Sequence, residues 1–228
     1  MRRLFRPLLR LALSVFAGLC LFWLCGLVAY RWIDPPATPL MALRALQGES
    51  IRYAPLPLAR IDRALQLAVV ASEDARFCLH AGIDLGAVRD AIEDFQESGR
   101  LRGASTITMQ VARNLFLWPG GGIIRKGLEA PLALAIDALW PKRRILELYL
   151  NIAEMGPGAF GAEAAAALHF QRSAADLSAG QAARLAAILP SPRNWSPSQP
   201  SAYIQRRAAA IQARMGQLGP EQIGCFSR

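Results

Sequence analysis

The sequence predicts an all-α protein, with one apolar helix leading into a single helical domain. Three observations carry that reading. Leu11 to Tyr30 runs without a charge, close to the roughly 20 apolar residues a helix needs to cross a bilayer core. From Ile61 onward, apolar residues fall at helical spacing, as at Ile61, Leu65, Ala68 and Val69. β-branched alternation is nearly absent, and no repeat of fixed period appears.

The elements follow in order. Residues 1–10 form a basic tail carrying Arg2, Arg3, Arg6 and Arg10. Residues 11–30 read as a transmembrane helix, with Trp23, Tyr30 and Trp32 toward its far end, where amphipathic rings prefer the interface. Basic residues concentrated before the span place the N-terminus in the cytoplasm and the remainder outside. A cleaved signal peptide is the competing reading, but its apolar core is about 7–15 residues with small residues at the cut. The stretch LCGLVAY has no A-x-A, so an uncleaved anchor is the expectation.

Residues 31–57, with Pro35, Pro36, Pro39, Pro55 and Pro57, read as a linker, and 58–228 as the globular domain. Helical patterns there cover about 85–98, 106–118, 123–139, 142–154, 160–169, 178–189 and 200–217. Gly120, Gly121 and Gly122 mark a mobile loop between two of them.

Composition narrows the partners. At 53% hydrophobic and 19% charged residues the chain is not disordered, and a mean hydropathy of +0.23 points to membrane contact. A net charge of +9 favours a polyanion: nucleic acid, anionic lipid headgroups or a phosphorylated substrate. The apolar segment speaks against an intracellular nucleic-acid binder. Cys20 and Cys25 fall in the span, whereas Cys78 and Cys225 could pair in an oxidising compartment, although spacing gives no geometry for it. With no C-x-x-C and two distant histidines, a structural zinc site is not expected.

Four stretches carry candidate chemistry. SEDARFCLHAGID, residues 72–84, groups Glu73, Asp74, His80 and Asp84 behind an apolar helix. Glu73 lies one turn beyond Val69, where helix meets core, and partial desolvation there would make it a better base near neutral pH. An ordinary charged helix end is the bland alternative. In RGASTITMQVARNLF, residues 102–116, Ser105 is a plausible N-cap. Its first-turn amides, with the Ser105, Thr106 and Thr108 hydroxyls, could hold an anion, and Thr106, Gln110 and Arg113 share a face. A plain capped helix explains the same residues. In IIRKGLEAP, residues 123–131, Arg125, Lys126 and Glu129 stand at ion-pair spacing, and Pro131 should bend the helix just beyond them. In PKRRILELYLN, residues 141–151, a basic first turn with Lys142, Arg143 and Arg144 precedes inward-facing Ile145, Leu148, Tyr149 and Ile152.

In order and spacing these stretches resemble the peptidoglycan glycosyltransferases of glycosyltransferase family 51, most closely the monofunctional biosynthetic transglycosylases. The match runs E-D-x-x-F-x-x-H-x-G-x-D from Glu73 to Asp84, then G-x-S-T-I-T-x-Q from Gly103 to Gln110. R-K-x-x-E follows at Arg125–Glu129, I-L-E-x-Y-L-N at Ile145–Asn151 and R-x-x-x-I at Arg207–Ile211. Together these cover about residues 60–215.

The resemblance implies a lysozyme-like helical fold that polymerises lipid II into β-1,4-linked glycan with inversion and release of undecaprenyl diphosphate. Glu73 would be the general base, with Glu129 acting near the donor, directly or through water or a divalent cation such as Mg or Mn. Ser105, Thr106, Thr108, Gln110, Arg113, Asn114, Arg125, Lys126 and Arg144 would bind substrate. Asp74, Phe77, His80, Gly82 and Asp84 would order the first motif.

The implied setting is the bacterial inner membrane, with the catalytic domain outside. Lipid II and the growing glycan would be partners, with other cell-wall synthesis proteins possible companions and no nucleic acid. Three positions depart from the family pattern. Arg113 stands for the usual Lys, Gly120–Gly122 for a loop that often holds a basic residue, and Gln181 for a late acidic position. A murein-cleaving enzyme on a similar fold, or an inactive tethered scaffold, are the alternatives the residues leave open.

Overall fold

The computed structural model describes residues 2–98, 103 and 105–227, with side chains for all of these except 2–9, 12, 16, 98 and 123. It divides into residues up to Pro35 and a second unit from Pro36 onward. The first unit holds α1 (Arg2–Ala29). Among the described residues no helix is long and apolar enough to cross a membrane. The expected span over 11–30 includes residues 12 and 16, whose side chains lie outside that set. On α1, Leu11, Leu13, Val15, Leu19, Leu21, Leu24 and Val28 are all exposed, and helical spacing distributes them around the circumference.

The second unit is mainly helical. It opens with α2 (Pro39–Leu46), where Thr38 accepts the Met41 amide at 3.2 Å and Pro39 fits the first turn. The short strand β1 (Arg52–Tyr53) and a 3₁₀ turn at Leu58–Arg60 follow. Then come α3 (Arg63–Glu73), started by Asp62, α4 (Leu85–Ser98), α5 (Ile107–Phe116), α6 (Ile123–Leu139) and α7 (Lys142–Ile152). Pro131 lies inside α6, which continues past it to Leu139.

The chain next makes β2 (Glu154–Gly156) and β3 (Ala159–Phe160), then α8 (Gly161–Phe170), α9 (Ala179–Ile188), α10 (Ala202–Met215) and α11 (Pro220–Ile223). α3 packs against α9 and α10, while α5 packs against α6 and α7. The core between them includes Leu65, Val69, Leu148, Tyr149, Leu185 and Ile211. Glu73, the last residue of α3, and the first residues of α5 therefore sit on elements held from behind by the core.

Two findings differ from the sequence reading. The expected all-α domain contains a small sheet in the order β1-β3-β2, with β1 parallel and β2 antiparallel to β3. Short bulged strands around Gly156, Gly158 and Gly161 give no alternation to read. Gly161 sits at φ +85, and a side chain there would meet the Asn151 carbonyl at 2.4 Å.

Residues 39–57 are also not a free linker. The Asn151 side chain accepts the Leu56 amide at 2.9 Å and donates to the Leu56 carbonyl at 2.8 Å, and Glu147 accepts the Leu58 amide at 2.7 Å. Arg44 and Arg193 both pair with Glu154, and Arg193 also pairs with Glu49. Pro39 instead starts α2, and the segment around Pro55 and Pro57 is extended backbone that α7 grips through Leu56 and Leu58.

Cys78 and Cys225, whose pairing the sequence left open, form a disulfide with Cα atoms 5.6 Å apart. It docks the C-terminal segment behind the first motif, where buried Phe226 lies 6.3 Å from the Phe77 ring.

Candidate active site

Glu73 ends α3 as a half-buried carboxylate. Burial pushes its carboxyl above the ordinary value. A hydrogen bond from Gln110 and the charges of Arg207 and Arg113 pull the other way, and neighbouring Asp74 adds to the rise. Gln110 Nε2 donates to Glu73 Oε2 at 3.0 Å, and Tyr149 Oη donates to Gln110 Oε1 at 3.3 Å. Glu73 lines a cleft of about 200 Å³ with Asp74, Arg76, Asp84, Gly103, Ser105 and Thr106. A desolvated carboxylate on a solvent-accessible cleft is what a general base near neutral pH requires.

The rest of the first motif is scaffold. Asp74 is buried; its Oδ1 lies 2.9 Å from His80 Nε2, and its Oδ2 accepts the Ile107 amide at 3.0 Å. Asp84 Oδ1 accepts the Ala87 amide at 3.0 Å, which starts α4. Phe77 is fully buried beside His80. Gly82 has φ +82, and a Cβ there would lie 2.6 Å from the Ala133 carbonyl, so only glycine lets the motif pass so close to α6. Lys142, from the basic first turn of α7, donates to the His80 carbonyl at 2.7 Å, pairs with Asp137 at 2.6 Å and lies 4.6 Å from the Phe77 ring centre.

At the start of α5 the expected anion cradle is altered. The N-cap is Thr106, not Ser105: its hydroxyl accepts the Met109 amide at 3.1 Å and donates to the Gly82 carbonyl at 2.6 Å. With Ile107 held by Asp74, the amides at positions 107 and 109 are engaged within the protein. Thr108 is wholly buried, and its hydroxyl finds no partner. Thr106 therefore caps α5 and Thr108 lies in the core, which leaves the half-buried Ser105 on the cleft. Arg102 lies outside the described residues.

The cations gather through Glu129. Its carboxylate is 1% exposed, so it is buried rather than open to a substrate. Oε1 pairs with Arg125, and Oε2 lies 3.3 Å from Lys126 Nζ. Lys126 also donates to the Ser105 hydroxyl, at the rim of the Glu73 cleft. Arg125 lines a second cleft of about 230 Å³ with Leu40, Arg113, Asn114, Trp118 and Gly120. Glu73 lines the first of these clefts, and Arg125, the partner of Glu129, lines the second. Glu129 holds Arg125, which lines the second cleft, and Lys126, which reaches Ser105 on the lining of the first.

Arg144 is not brought to either cleft; it pairs with Glu147 beside the Leu58 turn. Gln181 keeps a capping box at the start of α9, accepting the Ser178 amide at 3.0 Å, so the expected acidic residue is not needed for that cap.

Asp74, His80 and Asp84 are the one group, among the described residues, whose atoms cluster as a metal would need, within 4.8 Å of one another. They do not fit a resident cation. Both oxygens of Asp74 and one of Asp84 already accept hydrogen bonds, His80 Nε2 faces Asp74, and Arg76 stands 3.6 Å from the other Asp84 oxygen. The unassigned metal therefore gains no ligand set here.

The sequence reading passed over Tyr149 as core and Arg207 as a late motif residue. A phenol at an inward-facing helix position needs a polar partner, and that signal was available.

The site sets the partly desolvated Glu73 carboxylate on a cleft with Ser105 and Thr106, while Arg113 and Arg125 line a second cleft. The chain belongs to the transglycosylase family, whose model matches residues 41–216. It is therefore a glycosyltransferase. It is 56% identical over 209 residues to the biosynthetic peptidoglycan transglycosylase of Rhodospirillum centenum, covering 91% of this chain and 90% of that one. The proteins of the same name from Caulobacter vibrioides and Pseudomonas aeruginosa are 45% and 44% identical, covering 92% and 96% of this chain and 93% and 95% of theirs.

Proposed function

We propose that this chain is the peptidoglycan glycosyltransferase of a bacterial envelope and polymerises lipid II. The observation that carries the reading is the desolvated Glu73 carboxylate on a cleft whose rim is shared with the Lys126-bound Ser105. Glu73 takes the proton from the 4-hydroxyl of the acceptor GlcNAc as that oxygen attacks C1 of the donor MurNAc. The new C1–O4 bond forms as the bond from C1 to the diphosphate oxygen breaks. Attack opposite an α-linked leaving group gives a β-1,4 linkage and releases undecaprenyl diphosphate.

Arg113, Arg125 and Lys126 stabilise the charge that develops on the diphosphate. Fixed cations of this kind, aimed where charge appears, are worth most in a water-poor site. Arg113 keeps the charge of the family's usual Lys while changing its shape. Glu129 acts by positioning Arg125 and Lys126, since its own carboxylate is buried between them. A divalent cation, Mg or Mn, would enter with the diphosphate rather than at the Asp74–His80–Asp84 cluster.

The enzyme works at the outer face of the inner membrane, held by α1 as a single-pass anchor with its N-terminus in the cytoplasm. Apolar exposure around α1 supports this, as does α4, which places exposed Leu85, Ile92 and Phe95 on one face. The lipid tail of the substrate then stays in the bilayer while the sugars reach the cleft.

Incubating the detergent-solubilised full-length protein with lipid II and, separately, with finished glycan tests the reading. Polymer from lipid II with intact glycan is expected. Cleaved glycan and no polymer would transfer the case to a hydrolase.

A further inference from the structure

Gln110 stands between two groups of opposite demand. Ionised Glu73 can only accept hydrogen bonds, and it takes one from Gln110 Nε2 at 3.0 Å. On the other side, Tyr149 Oη reaches Gln110 Oε1 at 3.3 Å. Tyr149 is 1% exposed on α7, packed into the core, so its hydroxyl cannot exchange this partner for bulk water. Burial, reinforced by the Glu73 charge, pushes its phenol well above the ordinary value, so it remains a neutral O–H donor throughout the working pH range.

An amide side chain has two nearly isosteric orientations, and the choice between them is made by its neighbours. With the Tyr149 hydroxyl fixed behind it, Gln110 turns its carbonyl toward α7 and its amino group toward Glu73. Reversed, the carbonyl oxygen would oppose the carboxylate and could be satisfied only if Glu73 carried a proton.

We infer that Tyr149 is a positioning residue: its hydroxyl fixes the Gln110 amide so that an N–H faces Glu73 and the base is held ionised and aimed at the cleft. The inference rests on the reading of Glu73 as general base. The groups around Glu73 are Asp74 beside it, Gln110 and Arg113 from α5, Tyr149 from α7 and Arg207 from α10. Of these, only Tyr149 acts through Gln110.

Removing the hydroxyl leaves the charges in place but frees the amide to turn. Turned, it favours protonated Glu73, so the acid side of the pH–rate profile should move upward by about one unit, the scale of one lost hydrogen bond to the ionised form. Binding of lipid II should be little changed, so the loss falls on kcat rather than KM.

The experiment is a double-mutant cycle on the detergent-solubilised full-length enzyme, measuring lipid II polymerisation from acid to mildly alkaline pH. The variants are Tyr149→Phe, Gln110→Leu and the pair together. Tyr149→Phe is expected to shift the acid limb upward by about one unit and so to lower kcat about tenfold on that limb, a 1.36 kcal/mol change. In the Gln110→Leu background the same substitution should change the rate less than about twofold. An acid limb that stays in place, or equal fold losses in both backgrounds, would overturn the inference.

If Tyr149→Phe alone does not fold, comparing Gln110→Leu with the double variant, which has no orphaned partner, still decides it. Equal rates support the relay, and a further drop in the double variant overturns it. Glu73→Gln, assayed in parallel, separates the two ideas. If it remains fully active, the base assignment fails, while the cycle continues to report whether Tyr149 acts through Gln110.

Discussion

Asp74 accepts the backbone amide of Ile107 at 3.0 Å, so the residue next to the proposed base also holds the first turn of α5. The two motifs that share the cleft are thereby one mechanical unit. Replacing Asp74 with Ala strips the Ile107 amide and His80 of their acceptor. A hydrogen bond to a charged group contributes about 1.5–3 kcal/mol. A thermal melt should therefore show Asp74→Ala less stable by roughly that amount, with polymerisation lost even though Glu73 remains. A variant as stable as wild type would contradict the bridge.

Glu73 sets a pH signature. Burial raises its carboxyl above the ordinary 4.5, so the folded state holds the proton more tightly than the unfolded chain. The stability this contributes is present below about pH 4.5 and is lost as pH rises through the higher folded-state value. Activity runs the opposite way, because the base must be ionised. Acid inactivation should therefore begin above pH 4.5 while the fold is still intact, checked by parallel rate and melting profiles.

Gly82 should not tolerate a side chain. Alanine there would pay about 1–2 kcal/mol for left-handed backbone and about 1–3 kcal/mol for crowding the Ala133 carbonyl. Chemical denaturation of Gly82→Ala should show a loss of about 2–5 kcal/mol.

Lys126 tests the donor side with little change to the core, because its side chain is half exposed and Arg125 still pairs with Glu129. Lys126→Met should lower kcat by about 10²–10³, the effect of removing one fixed transition-state donor, with the melting temperature unchanged. Single-turnover kinetics at saturating lipid II give the comparison.

The disulfide closes a loop spanning 147 positions. Chain entropy puts its contribution on the order of 3–5 kcal/mol. Cys225→Ser should lower the melting temperature by roughly 10 °C, at about 2–4 °C per kcal/mol for a domain of this size. Reducing agent should act on the wild type and leave that variant unaffected.

Much of the site was legible because its residues stand in contiguous, unusual strings. Glu73 one turn beyond Val69 announced a carboxylate at the edge of the core, and the helices from 85 to 217 followed apolar periodicity closely. What escaped depended on distance through space. Asn151 and Glu147 looked like parts of one amphipathic helix, yet they grip Leu56 and Leu58, almost a hundred positions away. Ser105 looked like the cap, but Thr106 won because its hydroxyl can also reach the Gly82 carbonyl. Glu129 was expected near the donor, and its burial with Arg125 and Lys126 as partners could be seen only in the folded chain.

The most direct measurement is the initial rate of lipid II polymerisation by full-length Glu73→Gln beside wild type, at pH 7 and equal substrate occupancy. Loss of general-base help predicts a fall of about 10²–10⁴ in rate, with lipid II still bound and the fold melting no lower. A Glu73→Gln enzyme that polymerises within threefold of wild type would contradict the account.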